Sequence, residues 1–554
     1  MALTISGDPS ALAIGMDADT SPQTFQSADA RGGVSGGKES FTVAEAANRL
    51  VGGEPGWSHA LGVGFTVTYG FRADAPATMP EDATGFSRFN TQQITIAEQV
   101  LKGWSDAANI NFARVGAGAS GEAAYSNAAT ILFANYSGGV EGASAFSYYP
   151  GRTDFTSASG DIWVYSGSGY NVNPTIGNYG GSVLVHELGH AIGLSHPSEY
   201  DASDTTSPTY SSSADYAEDS RQYTVMSYFN ESNTGGHFGG AYSAAPMLDD
   251  IAAIQLEYGV NNATRTGDTT YGFNSNAARP WFEATSSASR MVFAVWDAGG
   301  KDTFDFSGFS QSQIIDLRAG YFSNVGGLTG NVAVAVGAVI ENAIGGGGYD
   351  QINGNAAANN IAAGLGDDTV DGGAADDYLR GDSGDDSLIG GTGFDDINGN
   401  QGDDTVRGGE GPDWVVGGQA HDRLFGDAGD DVVYGNLGDD TQDGGDGRDW
   451  IRGGQGSDSI AGGAGDDWMS GDLGDDTVSG GSGSDIFHTW GAAGLDRVTD
   501  FSLTAGDRVQ VDVGTVYMVA QLGADTVISM TGGGQMVLQN VQTASLTGGW
   551  IFAA

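Results

Sequence analysis

A nine-residue repeat constrains this chain more than any other feature. From Gly345 to His488 the unit G-G-x-G-x-D-x-U-x, with U apolar, runs through sixteen consecutive copies without losing phase. The sixth position is Asp in fifteen of them: Asp350, Asp368, Asp377, Asp386, Asp395, Asp404, Asp413, Asp422, Asp431, Asp440, Asp449, Asp458, Asp467, Asp476 and Asp485; the exception is Asn359. The eighth position is nearly always apolar (Ile352, Ile361, Val370, Leu379, Leu388), with Gln442 the polar outlier. A Gly/Asp-rich linker would have no reason to keep that phase. The pattern predicts an all-β parallel β-roll over 345–488, in which glycines make the tight left-handed turns and each eighth residue enters a narrow core. Each turn offers carbonyls and a carboxylate, an oxygen-only donor set that suits Ca²⁺ rather than zinc or copper. Stacked carboxylates repel without the ion, so calcium binding is expected to supply folding free energy to this region.

Charge and cysteine content narrow the partners. The formal net charge is −49, and lysine occurs only as Lys38, Lys102 and Lys301. Such a chain has no basic patch for nucleic acid or anionic membrane, and its natural partners are cations. Cysteine is absent, so no disulfide staples the fold, and calcium is the expected substitute. Residues 1–15 lack the basic and apolar stretches of a cleaved export signal, and no window is long and apolar enough for a transmembrane helix.

Ahead of the repeat the texture is that of a folded α+β domain. Residues 1–40 are rich in Ser, Asp, Ala and Gly and read as a flexible leader or propeptide. Helices are predicted over 41–51, 90–108, 183–192 (Ser182 as N-cap, Gly193 as stop) and 246–258, the last with Asp249 and Asp250 in its first turn. Strands are predicted over 65–71, 129–133 and 162–165. The third helix carries the chemistry. His186 and His190 are four apart, so both imidazoles leave one face. Gly193 lets the chain turn back, and His196 can supply a third nitrogen. Three neutral imidazoles and one open position describe a catalytic rather than a structural zinc site. Glu187 stands ready as general base. The run His186 to His196 is the long signature H-E-x-x-H-x-x-G-x-x-H, and Val225-Met226-Ser227-Tyr228 fits the Met-turn that accompanies it. A short His-Glu-x-x-His alone is as well explained by a surface ion pair; the longer match and the Met-turn together are not. The remaining histidines (His59, His237, His421, His488) read as surface or loop residues.

With these motifs the chain resembles the serralysins, secreted bacterial metzincin proteases with repeat-in-toxin tails. Further matching text is Ser195-His196-Pro197, Met226-Ser227-Tyr228-Phe229, the Leu248 to Gln255 helix, Thr264 to Thr269, and Trp296 to Gly300. The resemblance implies an α+β metzincin domain over 41–260, a connecting β segment with calcium sites over 261–344, the roll, and a C-terminal cap over 489–554. It implies that Tyr228 is a further zinc ligand at rest that swings away to stabilise the oxyanion. It implies calcium at Arg265, Gly267, Thr269, Asp297, Gly299, Gly300, Asp302 and Glu341, the Arg and Gly through carbonyls. Extended protein or peptide substrates are expected beside the strand Ala143 to Tyr148. Export through a type I ABC transporter is implied, with the signal in the uncleaved C-terminus. Family tails commonly carry an acidic residue before their last apolar ones, whereas here the last acidic residue is Asp525. The expected function is a secreted, calcium-stabilised zinc endopeptidase, with the long roll also holding it at a calcium-rich cell surface. The alternative is a calcium-dependent surface or matrix binding protein with an inactive protease-like domain; the retained Glu187 argues against it.

Overall fold

The change of texture at Gly345 is a change of architecture. The computed structural model describes residues 3–6 and 30–554, apart from 54–55, 117–120, 141–142, 152–158 and 201–206. Two units divide the chain: Met1–Asp302 with Ala319–Ile340, and Thr303–Arg318 with Glu341–Ala554. The division therefore interleaves, and the segment 261–344 belongs partly to each unit rather than forming a connector of its own.

The first unit contains, in chain order, β1 (Leu3–Ser6), α1 (Val43–Val51), β2 (Phe65–Phe71), α2 (Thr91–Ala107), β3 (Ile110–Arg114), β4 (Ile131–Tyr136), β5 (Ala143–Ser147), β6 (Ile162–Tyr165), α3 (Tyr179–Ala191) and α4 (Leu248–Tyr258). Its sheet runs in the order β1-β5-β6-β4-β2-β3. Strands β2, β3, β4 and β6 are parallel, while β5 runs antiparallel to β6. Helix α1 starts two residues later than expected because Thr42 is its N-cap, closing a capping box with Glu45. Helix α2 is capped in the same way by Asn90 and Gln93 and buries Ile94, Ala97, Val100, Leu101 and Trp104. The strand expected over 129–133 lies at 131–136.

Two expectations are corrected. Helix α3 begins at Tyr179, one turn before Ser182, because the Asn178 side chain accepts from Gly181 N (2.9 Å) and caps it. Residues 31–40, assigned above to a leader, are packed into the first unit. The Arg31 guanidinium is fully buried and donates to both Asp249 oxygens (2.7 and 2.9 Å). The Ser40 hydroxyl donates to Glu218 (2.5 Å). At the other end of the leader, β1 pairs antiparallel with β5, Leu3 opposite Ser147 and Thr4 opposite Phe146.

In the second unit successive repeats alternate between two parallel sheets, so each turn takes two repeats and partners lie 18 residues apart, as in Ile361–Leu379 and Val370–Leu388. The eighth-position residues fill the interior: Ile352, Ile361, Val370, Leu379 and Leu388 have no exposed surface. The outlier Gln442 is buried among them, its Nε2 donating to Arg452 O (2.8 Å). The cap expected over 489–554 is a set of short strands that continue the sheets; Ile551–Ala553 pairs parallel with Arg508–Val511. Among the described residues no helix is long and apolar enough to cross a membrane.

Candidate metal centre

Helix α3 brings His186 and His190 to one face, and the chain reverses at Gly193, whose φ of +111° favours glycine. His196 returns to meet them. The three Nε2 atoms form a triangle with sides of 3.0, 3.1 and 3.2 Å. Among the described residues they are the group of His, Cys, Asp or Glu side chains close enough together to hold one metal ion.

The other ring nitrogens determine what those Nε2 atoms are. His186 Nδ1 lies 2.8 Å from Val225 O, His190 Nδ1 2.7 Å from Leu194 O, and His196 Nδ1 3.0 Å from Tyr200 O. Carbonyl oxygens only accept, so each Nδ1 carries the proton and each Nε2 presents a lone pair. Three converging lone pairs cannot satisfy one another and call for a Lewis acid. Burial also disfavours protonating them: His196 is pushed down to about 4, and His186 and His190 fall well below the usual value. Buried nitrogen donors of this kind fit Zn²⁺.

Met226 lies directly beneath. A Cβ on Gly189, between the two helical histidines, would collide with Met226 Sδ. The Tyr228 ring stands 4.5 Å from the His196 ring and 5.9 Å from that of His186, between centroids. Glu187 is wholly buried, and Ser147 Oγ on β5 donates to its Oε2 (2.6 Å). Thus His186, His190 and His196 meet at one point, with the Tyr228 ring against two of them and Glu187 next in the chain to His186. The strand expected to receive substrate contributes the residue that orients Glu187.

Three contributors were missed. Asp250 was expected only to favour the helix dipole; instead it accepts from Thr224 Oγ1 (2.5 Å), Val225 N (2.8 Å) and Met247 N (2.9 Å). Directly at Val225 N, and through Thr224 Oγ1, which accepts from Met226 N (3.0 Å), it holds the amides on both sides of Val225, whose carbonyl orients His186. Burial pushes its carboxyl up to about 7. Asp219 accepts from Ser198 Oγ (2.7 Å), Tyr200 OH (2.9 Å) and Ser227 Oγ (2.6 Å), tying the His196 loop to the Met-turn. Ser147 is the third. Each acts through contacts too distant in sequence for any periodicity to expose.

The positions expected to bind calcium fall in both units. In the first unit, the backbone at Gly267 abuts Gly300 so closely that a Cβ there would overlap it. Asp302 Oδ1 accepts from Thr269 N (2.8 Å), and Asp297 accepts from Gly299 N (3.0 Å) and Tyr271 OH (2.5 Å). Arg265 adopts φ +46° there. In the second unit, Glu341 O accepts from Asn359 Nδ2 (2.9 Å) and Asn360 N (3.2 Å). Along the roll each repeat aspartate from Asp368 on turns Oδ1 to an amide 18 residues earlier, as Asp386 does to Asp368 N (2.8 Å) and Asp404 to Asp386 N (2.8 Å), while Asp350 Oδ1 accepts from Gln313 N (2.8 Å). The second oxygen, Oδ2, of twelve consecutive repeat aspartates from Asp368 to Asp467 is buried with no hydrogen-bond partner. Burial pushes several of these carboxyls up, Asp368, Asp413 and Asp422 to about 7. A row of half-satisfied buried carboxylates is the donor chemistry a hard cation completes.

Comparison with known proteins agrees with this geometry. Residues 260–548 match the family described as peptidase M10 serralysin C terminal. Metalloprotease AprA of Pseudomonas entomophila (strain L48) is 45% identical over 338 residues, 59% of this chain and 67% of that protein. Serralysin C of Dickeya chrysanthemi is 48% identical over 320 residues, 57% of this chain and 64% of that one. Serralysin of Photorhabdus luminescens is 43% identical over 332 residues, 58% and 66%. The alignments thus span about two thirds of each relative's length.

Proposed function

This chain belongs to the serralysin family and is a metalloprotease, and from that premise we propose that it is a secreted, calcium-stabilised zinc endopeptidase whose working residues are His186, Glu187, His190, His196 and Tyr228. The observation that carries the reading is the triangle of bare Nε2 atoms, each oriented by a carbonyl on its own Nδ1. His186, His190 and His196 would hold zinc, which would supply Lewis acidity and lower the pKa of a bound water towards about 7. Glu187 takes the proton of the attacking water and passes it to the leaving amine. Ser147 holds that carboxylate in line with the cleft. Tyr228 donates to the oxyanion as charge develops. Calcium at the repeat aspartates, and at the loops carrying Arg265, Gly267, Thr269, Asp297, Gly299, Gly300 and Asp302, stabilises the fold; Glu341 adds a further position. Export by a type I ABC transporter delivers the chain to calcium.

Peptide substrates lie antiparallel along the edge of β5 that faces away from β6, and gain main-chain hydrogen bonds. The same edge is where β1 pairs, with Leu3 opposite Ser147. The N-terminal segment therefore acts as an internal competitor, and the full chain is latent. Deleting residues 1–29 should raise casein hydrolysis; equal activity with and without them would refute latency.

The decisive experiment is hydrolysis of denatured casein in excess calcium, with and without a zinc-selective chelator, beside Glu187→Ala. Activity should vanish with the chelator and fall about 10³-fold in the variant, while Glu187→Ala keeps one zinc per chain. A folded, zinc-loaded, N-terminally trimmed protein without activity would overturn the reading in favour of a binding protein.

A further inference from the structure

The outer face of one roll sheet carries aromatic rings that neither the core nor the metal positions use. Its seventh-position residues align strand by strand: Tyr378, Asp396, Trp414, Val432, Trp450 and Trp468. Tyr378, Trp414 and Trp450 are 44%, 50% and 45% exposed. The equivalent row of the other sheet carries no aromatic ring, with Thr369, Ser387, Thr405, Arg423, Thr441 and Ser459. Half-exposed tryptophans contribute little to the stability of the roll, because much of their area stays in water. Their gathering on one face needs another cause.

The rings are held rigidly. Trp450 and Trp468 stack with centroids 4.0 Å apart and planes 18° apart, and Trp468 continues onto His488 at 5.1 Å and 27°. Trp468 Nε1 donates to Gln510 Oε1 (3.1 Å). His488 in turn lines an open groove of about 670 Å³ whose walls include Tyr434, Arg452, Asp472 and Asp512. The polar groups there are prearranged: Arg452 Nη2 meets Asp472 Oδ2 at 2.7 Å, Ser470 Oγ donates to Asp472 Oδ1 (2.7 Å), and His488 Nε2 meets Asp512 Oδ1 at 3.2 Å.

An aromatic platform beside a groove of mixed donors and acceptors suits a sugar. The C–H face of a pyranose is weakly positive and meets the negative face of an indole, while its hydroxyls need donors and acceptors together. A purely apolar ligand would strip water from Arg452, Asp472 and His488 without replacing it. The charge of −49 disfavours an anionic polymer. Trp414 and Trp450 stand two strands apart, about 9.6 Å along the row, comparable with two linked sugar rings. We propose that this face binds a neutral polysaccharide lying across the strands, and so tethers the protein to a glycan-bearing surface independently of its cleft.

The test is affinity electrophoresis of the full chain, in calcium, through gels containing hydroxyethylcellulose, galactomannan or glycogen, with carboxymethylcellulose as the anionic comparison. Retardation is expected in at least one neutral gel. Trp450→Ala and Trp414→Ala should each weaken it about tenfold, and Trp450→Phe should keep most of it. All three variants should retain wild-type melting in calcium and casein hydrolysis. Migration unaffected by every neutral polymer, retardation undiminished in a folded Trp450→Ala, or retardation as strong in carboxymethylcellulose would each overturn the proposal.

Discussion

The metal centre and the roll answer the same problem, buried polar atoms, in opposite ways. At the centre the protein supplies nearly every partner: carbonyls for three Nδ1 groups, Ser147 for Glu187, and backbone amides for Asp250. The three Nε2 lone pairs are left over, and they point at one spot. In the roll the repeat aspartates from Asp368 to Asp467 each have one oxygen answered by an amide and the other by no hydrogen-bond partner among the described residues. The centre's donors are thus organised by the protein itself, whereas the half-met carboxylates of the roll await a cation under the function proposed above. Preorganised donors give geometry and reactivity; deferred ones make folding conditional on the surroundings.

The largest effect that separates the two should come from chelating calcium at neutral pH. Hydrogen exchange should show protection lost across 345–488 and retained in α3. If α3 opens in step with the roll, the contrast fails. Next in size, Asp250→Asn should weaken zinc binding about 10- to 100-fold by loosening the Val225 peptide, read by competition with a chromogenic chelator, and leave calcium-dependent folding of the roll unchanged. Acidity should then divide the metal-free from the loaded roll. Its raised carboxyls favour the protonated folded state, so in chelator the roll should gain stability as pH falls from about 7, fully so below the unfolded value of 3.8. In calcium the sign reverses, because protons compete with the ion for the same oxygens. Opposite slopes of melting temperature between pH 8 and pH 5 would establish this. Smallest, Gln442→Leu should stabilise the calcium-loaded roll by about 1 kcal/mol, since the buried Gln442 Oε1 has no partner; an unchanged or lower melting temperature would show that the Gln442–Arg452 bond compensates.

The same contrast explains what was legible in the sequence. The roll is local: a residue meets its partner 18 positions away, and a phase read along the chain is nearly the structure itself. The histidine triad was legible because its members sit within eleven residues of one helix and turn. What supports them was not. Ser147 reaches Glu187 across 40 residues, and Arg31 reaches Asp249 across 218, so nothing nearby marks either. The start of α3 was misplaced because Tyr179-Gly180-Gly181 looks like a poor first turn until Asn178 is seen to cap it. His488, taken for a surface residue by its variable position in the repeat, proved to end a stack of tryptophans.

The aspartate ladder has one more consequence. From Asp368 to Asp485 every sixth-position carboxylate accepts from the amide 18 places before it, so each coil of the roll clasps its predecessor and is clasped by its successor. Such a row behaves like a zip rather than a string of beads: each coil that closes readies its neighbour, and a flaw in the middle leaves two shorter rows, each weaker than half the whole. Calcium uptake should therefore be steep, and a protein in calcium just below that threshold should hold either a closed roll or none.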